Sequence, residues 1–196
     1  IDETANFDSE PIADMFPATT IMFGDIADFT AWSASRDPTE VFILLEALYG
    51  AFDRWAQRLG IFKIETIGDC YVAVAGLPEP RPDHAVAMVK FAHRCLKDME
   101  TLVQTLEPRL GTGTSSLSLR SGLNSGPVMG GVLRGEKARF QLFGDTINTA
   151  SRMESTGKKG RVQVSQDTAE LLVEAGKESW GNPRADKVIA KGKGEM

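Results

Sequence analysis

The chain lacks most of the features that would set it apart from ordinary globular proteins. It has only two cysteines, Cys70 and Cys95, in 196 residues, which excludes a disulfide framework and suits a reducing compartment. No sign of charge dominates: 22 Lys and Arg against 27 Asp and Glu give a net charge of −5. A broad basic footprint for DNA or RNA is missing, so no nucleic-acid partner is expected. Apolar runs such as Val41 to Leu45 fall far below the roughly 20 residues that span a bilayer, and no membrane segment is expected in this fragment. Residues 1–17 lack the basic, apolar and small-residue order of a signal peptide. Gly-x-Ser-x-Gly and Gly-Lys-Ser/Thr are both absent, which disfavours Ser-His-Asp hydrolysis and P-loop phosphoryl transfer. The two histidines, His84 and His93, have no cysteine or carboxylate at metal spacing and read as packing or surface residues.

What is present is a soluble domain: 42% apolar and 25% charged residues, in a chain long enough to bury roughly 70% of its unfolded surface. Residues 1–16 are acidic and aperiodic and read as a lead-in; residues 17–196 read as one domain. Thr19 to Phe23 is a β-prone run closed by Gly24-Asp25. Asp37-Pro38-Thr39-Glu40 combines an N-cap, a first-position proline and a capping box, and apolar residues at helical spacing follow as far as Gly60. Ile61–Ile67 and Cys70–Ala75 form a hairpin about Gly68-Asp69. A second helix is predicted over Asp83–Leu106, then strands over Leu117–Leu123, Val128–Leu133 and Arg139–Phe143 around Gly-rich turns. A helix over Asp145–Ser155, a strand over Val162–Val164 and a helix over Gln166–Glu174 complete the pattern. The fold class is α+β: a ferredoxin-like βαββαβ core with helices on one face of a mainly antiparallel sheet, and appended C-terminal α/β elements.

Asp25 ends the first apolar strand and Asp69 sits in the hairpin turn. If that strand lies beside the hairpin, the two carboxylates converge and offer hard oxygen ligands suited to Mg²⁺. Gly-Asp is equally ordinary turn chemistry. Residues 26–30 could aim backbone N–H groups at a polyphosphate. Asn148 and Arg152 stand four apart, on one face if the stretch is helical. An arginine there can meet charge developing on a phosphate, or simply be solvated. Lys191-Gly192-Lys193-Gly194 could bring an ammonium to terminal phosphates, or be a basic tail.

Five stretches occur in order: Phe23-x-Asp25-Ile26-x-x-Phe29-Thr30, Lys63-x-Glu65-Thr66-Ile67-Gly68-Asp69, Gly122-x-x-Ser125-Gly126-Pro127-Val128, residues 143–154 (FGDTINTASRME) and Lys191-Gly192-Lys193-Gly194. Together they resemble the catalytic domain of the class III nucleotidyl cyclases, the adenylyl and guanylyl cyclase family. The resemblance covers about residues 17–196. It implies a lyase of intracellular signalling that turns a nucleoside triphosphate into a 3′,5′-cyclic nucleotide and pyrophosphate. Asp25 and Asp69, with the Ile26 carbonyl, would hold two Mg²⁺ or Mn²⁺ ions. Phe29, Thr30 and Lys191 would bind phosphates, Asn148 would orient the ribose and Arg152 would stabilise the transition state.

Family sites form between two such domains, one giving the aspartates and the other the base-reading and Asn/Arg groups. This chain keeps both sets, which implies a head-to-tail homodimer with two shared sites. The purine-reading positions of the family fall on Glu65 and Gln141. Lys with Asp there commonly marks adenylyl cyclases, and Glu with Cys marks guanylyl cyclases. A carboxylate at Glu65 accepts from guanine N1–H and the 2-amino group; the Gln141 amide serves either purine. GTP is therefore favoured over ATP. Asp28 adds negative charge near the phosphates, and the loop 134–139 is expected to supply one phosphate-binding cation. With no sensor or membrane segment, the chain reads as a cytoplasmic catalytic fragment, and as the cytosolic part of a larger protein if that protein is tethered. Two other readings stay open: a silent regulatory cyclase-like domain and another palm-like two-metal enzyme.

Overall fold

The computed structural model describes residues 12–133, 138–184, 189–190 and 194–195. The first strand, β1 (Ile12–Ala27), is longer than its apolar centre. It is followed by a five-residue helix, α1 (Phe29–Ser33), and by α2 (Pro38–Leu59). The predicted start of α2 is in place: the Asp37 carboxylate accepts from the Thr39 N–H, and Glu40 accepts from the Asp37 N–H. Gly60 closes the helix at φ 64°, a left-handed conformation that glycine adopts without strain. The hairpin β2 (Phe62–Ile67) and β3 (Cys70–Ala75) turns through Gly68 at φ 62°. Helix α3 (His84–Leu110) runs four residues past its expected end at Leu106, because Pro108 lies in the last turn and disturbs little of the hydrogen-bond ladder.

The strongest departure from expectation is β4, a single strand over Ser118–Leu133 where two strands and a Gly-rich turn were expected. Its glycines mark close approaches rather than a reversal. A Cβ on Gly122 would lie 1.8 Å from the Glu154 nitrogen, and one on Gly131 would lie 2.6 Å from the Ile12 carbonyl. Then come β5 (Arg139–Phe143), α4 (Asp145–Ser155), β6 (Val162–Val164) and α5 (Gln166–Glu174). Ile189–Ala190 (β7) pairs antiparallel with Gly194–Glu195 (β8).

The main sheet has the order β2-β3-β1-β4-β5, with β6 joining β4 in parallel. That is the four-stranded ferredoxin-like order extended by two strands, β5 and β6, an α+β fold as predicted. Residues 12–16 of the expected lead-in belong to β1 and pair with β4 from Ile12↔Val132 to Phe16↔Val128. The helices do not all share one face. Helices α2 and α3 cover the face carrying Met22, Ile26, Tyr71 and Ala73, where the larger core lies with Leu44, Phe52, Phe91 and Met99. Helix α4 lies on the other face, where Ala150 and Ile147 pack on Ile21, Val74 and Val128. Its extent was legible in the sequence, but the extent of a helix does not say which side of a sheet it covers.

His84 is buried at the start of α3, and its Nδ1 lies 2.7 Å from the Thr20 hydroxyl. That hydroxyl meets Ser125, which meets Thr168. Burial lowers the His84 pKa and favours the neutral ring. The histidine is a satisfied core group, in keeping with its packing assignment.

Candidate active site

Alternation along β1 sends Ile21, Phe23 and Asp25 to the α4 side and Met22, Gly24 and Ile26 to the α2/α3 side. Pairing of Gly24 with Tyr71 sets the end of β1 beside the start of β3, and so beside the hairpin turn. The Tyr49 hydroxyl donates to the Gly68 carbonyl at 2.9 Å and anchors that turn. Asp69 is thereby held with its carboxyl within hydrogen-bond reach of the Asp25 carboxyl, and the Ile26 N–H points to it. Burial, and next the Asp25 charge, push the Asp69 pKa up to about 6. The predicted convergence of the two aspartates is what the structure contains.

Two side chains that sequence reasoning missed complete this cluster. Arg120 on β4 stands directly across from Asp25 in register and places Nη2 3.2 Å from Asp25 Oδ2. Its Nε donates to Glu154 Oε1 at 2.6 Å. Glu154, 8% exposed, reaches β4 because Gly122 leaves no side chain in the way of the last turn of α4. Burial raises the Glu154 pKa and Arg120 opposes the rise. Cys70 adjoins the cluster; burial, then the charges of Asp25, Glu154 and Asp69, push its thiol up to about 12 and leave it unreactive. The one signal in the sequence was alternation, since Arg120, Gly122 and Asn124 share a face once β4 is continuous.

Among the described residues no three His, Cys, Asp or Glu side chains form a metal cage. Two facing carboxylates, one with its pKa raised by burial and by the charge of the other, nevertheless fit a hard divalent cation, which relieves their repulsion and leaves positions for water and phosphate. The donor set fits Mg²⁺ or Mn²⁺ on that ground.

Asn148 and Arg152 lie elsewhere. Both sit on the side of α4 away from its sheet-packed residues Thr146, Ala150 and Met153; Asn148 is exposed and Arg152 half-buried. They stand one turn apart as expected, and they turn away from the side on which Glu154 meets Arg120. Glu65 and Gln141 do come together. A bulge at Ile64 shifts β2 by one residue, so Lys63 faces Ala73 and Glu65 faces Val72. The two edges of the sheet curl towards each other until the rings of Phe62 and Phe140 are 5.6 Å apart. Glu65 and Gln141 line the resulting cleft of about 470 Å³, with Arg139 at its rim.

Phe29 and Thr30 open α1, after Asp28 at φ 69°. The half-buried Phe29 ring packs 6.1 Å from that of Trp32, and Thr30 is exposed. Asp28 is ion-paired with Lys159, which offsets the negative charge expected there. Lys191 and residues 134–137 of the loop expected to supply a cation lie outside the described residues.

Residues 13–196 match the model of the adenylate and guanylate cyclase catalytic domain, and the chain belongs to that family, an enzyme domain of the lyase class. It is 41% identical over 162 residues to the receptor-type guanylate cyclase gcy-28 of Caenorhabditis elegans, covering 83% of this chain and 12% of that protein. It is 36% identical over 185 residues to an adenylate cyclase of Mycobacterium tuberculosis (strain H37Rv), covering 94% of this chain and 39% of that one. The guanylate cyclase domain of RhGC from Catenaria anguillulae, solved in complex with GTP, superposes with a TM-score of 0.81 at 38% identity, over 93% of this chain and 94% of that one. The chain thus spans well under half the length of these two full-length relatives. No helix among the described residues is long and apolar enough to cross a membrane.

Proposed function

We propose that this domain converts GTP to cyclic GMP and pyrophosphate as a homodimer with two shared sites. The observation that supports the reading is that the two sets of residues face apart on one chain. Asp25 and Asp69 converge at the end of β1, whereas Asn148 and Arg152 stand on the outer side of α4. Each half-site is completed only by a second copy, and two-fold symmetry completes both at once.

Asp25, Asp69 and the Ile26 carbonyl would hold two Mg²⁺ or Mn²⁺ ions. Bound there, the ions would lower the pKa of the ribose 3′-hydroxyl and offset the triphosphate charge. The chain's own groups do the rest. Glu65 accepts from guanine N1–H and the 2-amino group, and Gln141 donates to O6 from the same cleft. Backbone N–H groups at Phe29 and Thr30 take phosphate oxygens, and Lys191 adds a cation. Asn148 of the copy that reads the base holds the ribose so that O3′ lines up with the α-phosphorus. The O3′–Pα bond forms, the bond from Pα to the pyrophosphate oxygen breaks, and the hydroxyl proton leaves to water. The Arg152 guanidinium meets the charge that peaks on the five-coordinate phosphorus.

ATP is the second reading, because the Gln141 amide can equally accept from an adenine 6-amino group and an adenylate cyclase is among the relatives. Product formation from GTP and ATP, assayed separately with Mn²⁺ over a range of protein concentrations, tests both. Cyclic GMP dominating, with specific activity rising with concentration, is the expected result. Cyclic AMP dominating would overturn the purine assignment, and no cyclic product at any concentration would leave a silent regulatory domain.

A further inference from the structure

Asp28 stands where a helix cap is expected, yet its side chain caps nothing. It precedes α1 in left-handed backbone, φ 69°, as the only non-glycine residue at positive φ among the described residues. Its carboxylate makes no capping hydrogen bond to α1. It accepts instead from the Lys159 ammonium, 131 positions away in the sequence. The backbone around the lysine brings it there. Residues 158–161 form a turn in which the Arg161 N–H donates to the Lys158 carbonyl at 3.2 Å. Gly160, at φ 66°, donates its N–H to the Leu119 carbonyl at 2.9 Å, and Leu119 faces Ile26 in the register of β1 and β4. Lys159 is thereby held at the end of the sheet that carries Asp25 and Ile26, beside the start of α1. The bridge itself contributes little to stability, since its side chains are 53% and 51% exposed, so either partner can exchange it for a stronger one.

We propose that Lys159 is a further phosphate-binding cation of this site, and that Asp28 is the positioning residue that holds it when no nucleotide is bound. The inference rests on the reading of this end of the sheet as the seat of the triphosphate. The ammonium has three donors, so it can keep Asp28 with one and offer the others to phosphate oxygens. A triphosphate carries several negative charges against one on Asp28, so the exchange favours the nucleotide. The Asp28 carboxylate opposes those phosphates with charge of the same sign. The two partners therefore act in opposite directions on the phosphate end, and neither lines the cleft of Glu65 and Gln141.

The test uses the two products as inhibitors of steady-state turnover: pyrophosphate reports on the phosphate end and the cyclic nucleotide on the purine end. Lys159→Gln is expected to raise the pyrophosphate inhibition constant about three- to tenfold at low salt, and less as salt screens the charge. Asp28→Gly, which puts there the residue that left-handed backbone suits, is expected to lower it several-fold by the same Coulomb argument. The constant for the cyclic nucleotide, which has lost the terminal phosphates, is expected to stay within about twofold of the wild type in both. The double variant Asp28→Gly with Lys159→Gln is expected to bind pyrophosphate more weakly than Asp28→Gly alone. Equality of those two would overturn the proposal, because a lysine that only masked Asp28 has nothing left to do once that charge is gone. An unchanged pyrophosphate constant in Lys159→Gln, or equal shifts of both constants, would overturn it as well. A wild-type protein that makes no cyclic nucleotide from GTP or ATP overturns the cyclase reading itself, and the two failures are thereby told apart.

Discussion

Substitution of Gly122 by alanine probes how closely α4 is held to the sheet. The added Cβ would meet backbone, not a flexible side chain: the Glu154 nitrogen at 1.8 Å, the Met153 carbonyl carbon at 2.3 Å and the Glu154 Cα at 2.4 Å. Ordinary contact begins near 3.4 Å, so the end of α4 has to retreat by 3.4 − 1.8 = 1.6 Å, or β4 has to bend by as much. Overpacking of this kind costs about 1–3 kcal/mol where side chains can adjust, and a backbone-on-backbone clash belongs at the upper end or beyond. At about 2–4 °C per kcal/mol for a chain of this size, a 3 kcal/mol loss lowers Tm by roughly 6–12 °C. The same retreat carries Glu154 off Arg120 and displaces Asn148 and Arg152 on their helix, so activity should fall further than stability does. Thermal unfolding followed by circular dichroism, with cyclase turnover measured well below Tm, reads both effects. A Gly122→Ala protein with a Tm within a degree or two of the wild type and full turnover would refute the argument.

Three further outcomes follow from the site. Arg152→Ala should lower kcat on the order of 10²–10³-fold with little change in KM, because the guanidinium acts on charge present only at the transition state; a pure KM effect in steady-state kinetics would contradict this. Glu65→Lys combined with Gln141→Asp should reverse the purine preference, with the ratio of kcat/KM for GTP and ATP moving by at least about 10²-fold. For metal-free protein, the raised pKa of Asp69 means that the folded state favours the protonated carboxyl, so this residue's contribution to stability falls as pH rises from about 4 through about 6. Asp69→Asn should therefore raise the metal-free Tm above pH 6, and the gain should disappear on the acid side; a gain present only in acid would reverse the sign and defeat the assignment.

Much of this was legible before any coordinates. The limits of α2 follow from its capping box and Gly60, and those of the β2–β3 hairpin from Gly68. Asp25 and Asp69 were recognisable because one closes an apolar run and the other sits in a hairpin turn, although β1 itself runs on to Ala27; adjacency of β1 to β3 brings them together. Asn148 and Arg152 were readable as a helical pair from a spacing of four. What stayed hidden depended on register and on close approach. Glycines 122, 126, 130 and 131 look like turn residues, yet in β4 they make room for Glu154, Thr146, Phe140 and Ile12. Only when β4 is continuous does Arg120 fall opposite Asp25, and only when α4 is known to cross to the far face does Glu154, 34 positions away, become its partner. The cleft between Glu65 and Gln141 depends likewise on the curl of the sheet and the bulge at Ile64, neither of which a local pattern encodes.

The central claim, that each catalytic site is built from two copies of this chain, is tested most directly by complementation. Asp69→Ala and Arg152→Ala are each expected to be nearly inactive alone, since every site in either homodimer lacks one essential group. Mixed in equal amounts and allowed to exchange, they give heterodimers in which one site has lost both groups and the other is intact. With random pairing, half the dimers carry one working site of two, so activity should recover to about a quarter of the wild type. Recovery near that level is the predicted result. A mixture no more active than its components would contradict the shared site and place all of these residues in the service of a single chain.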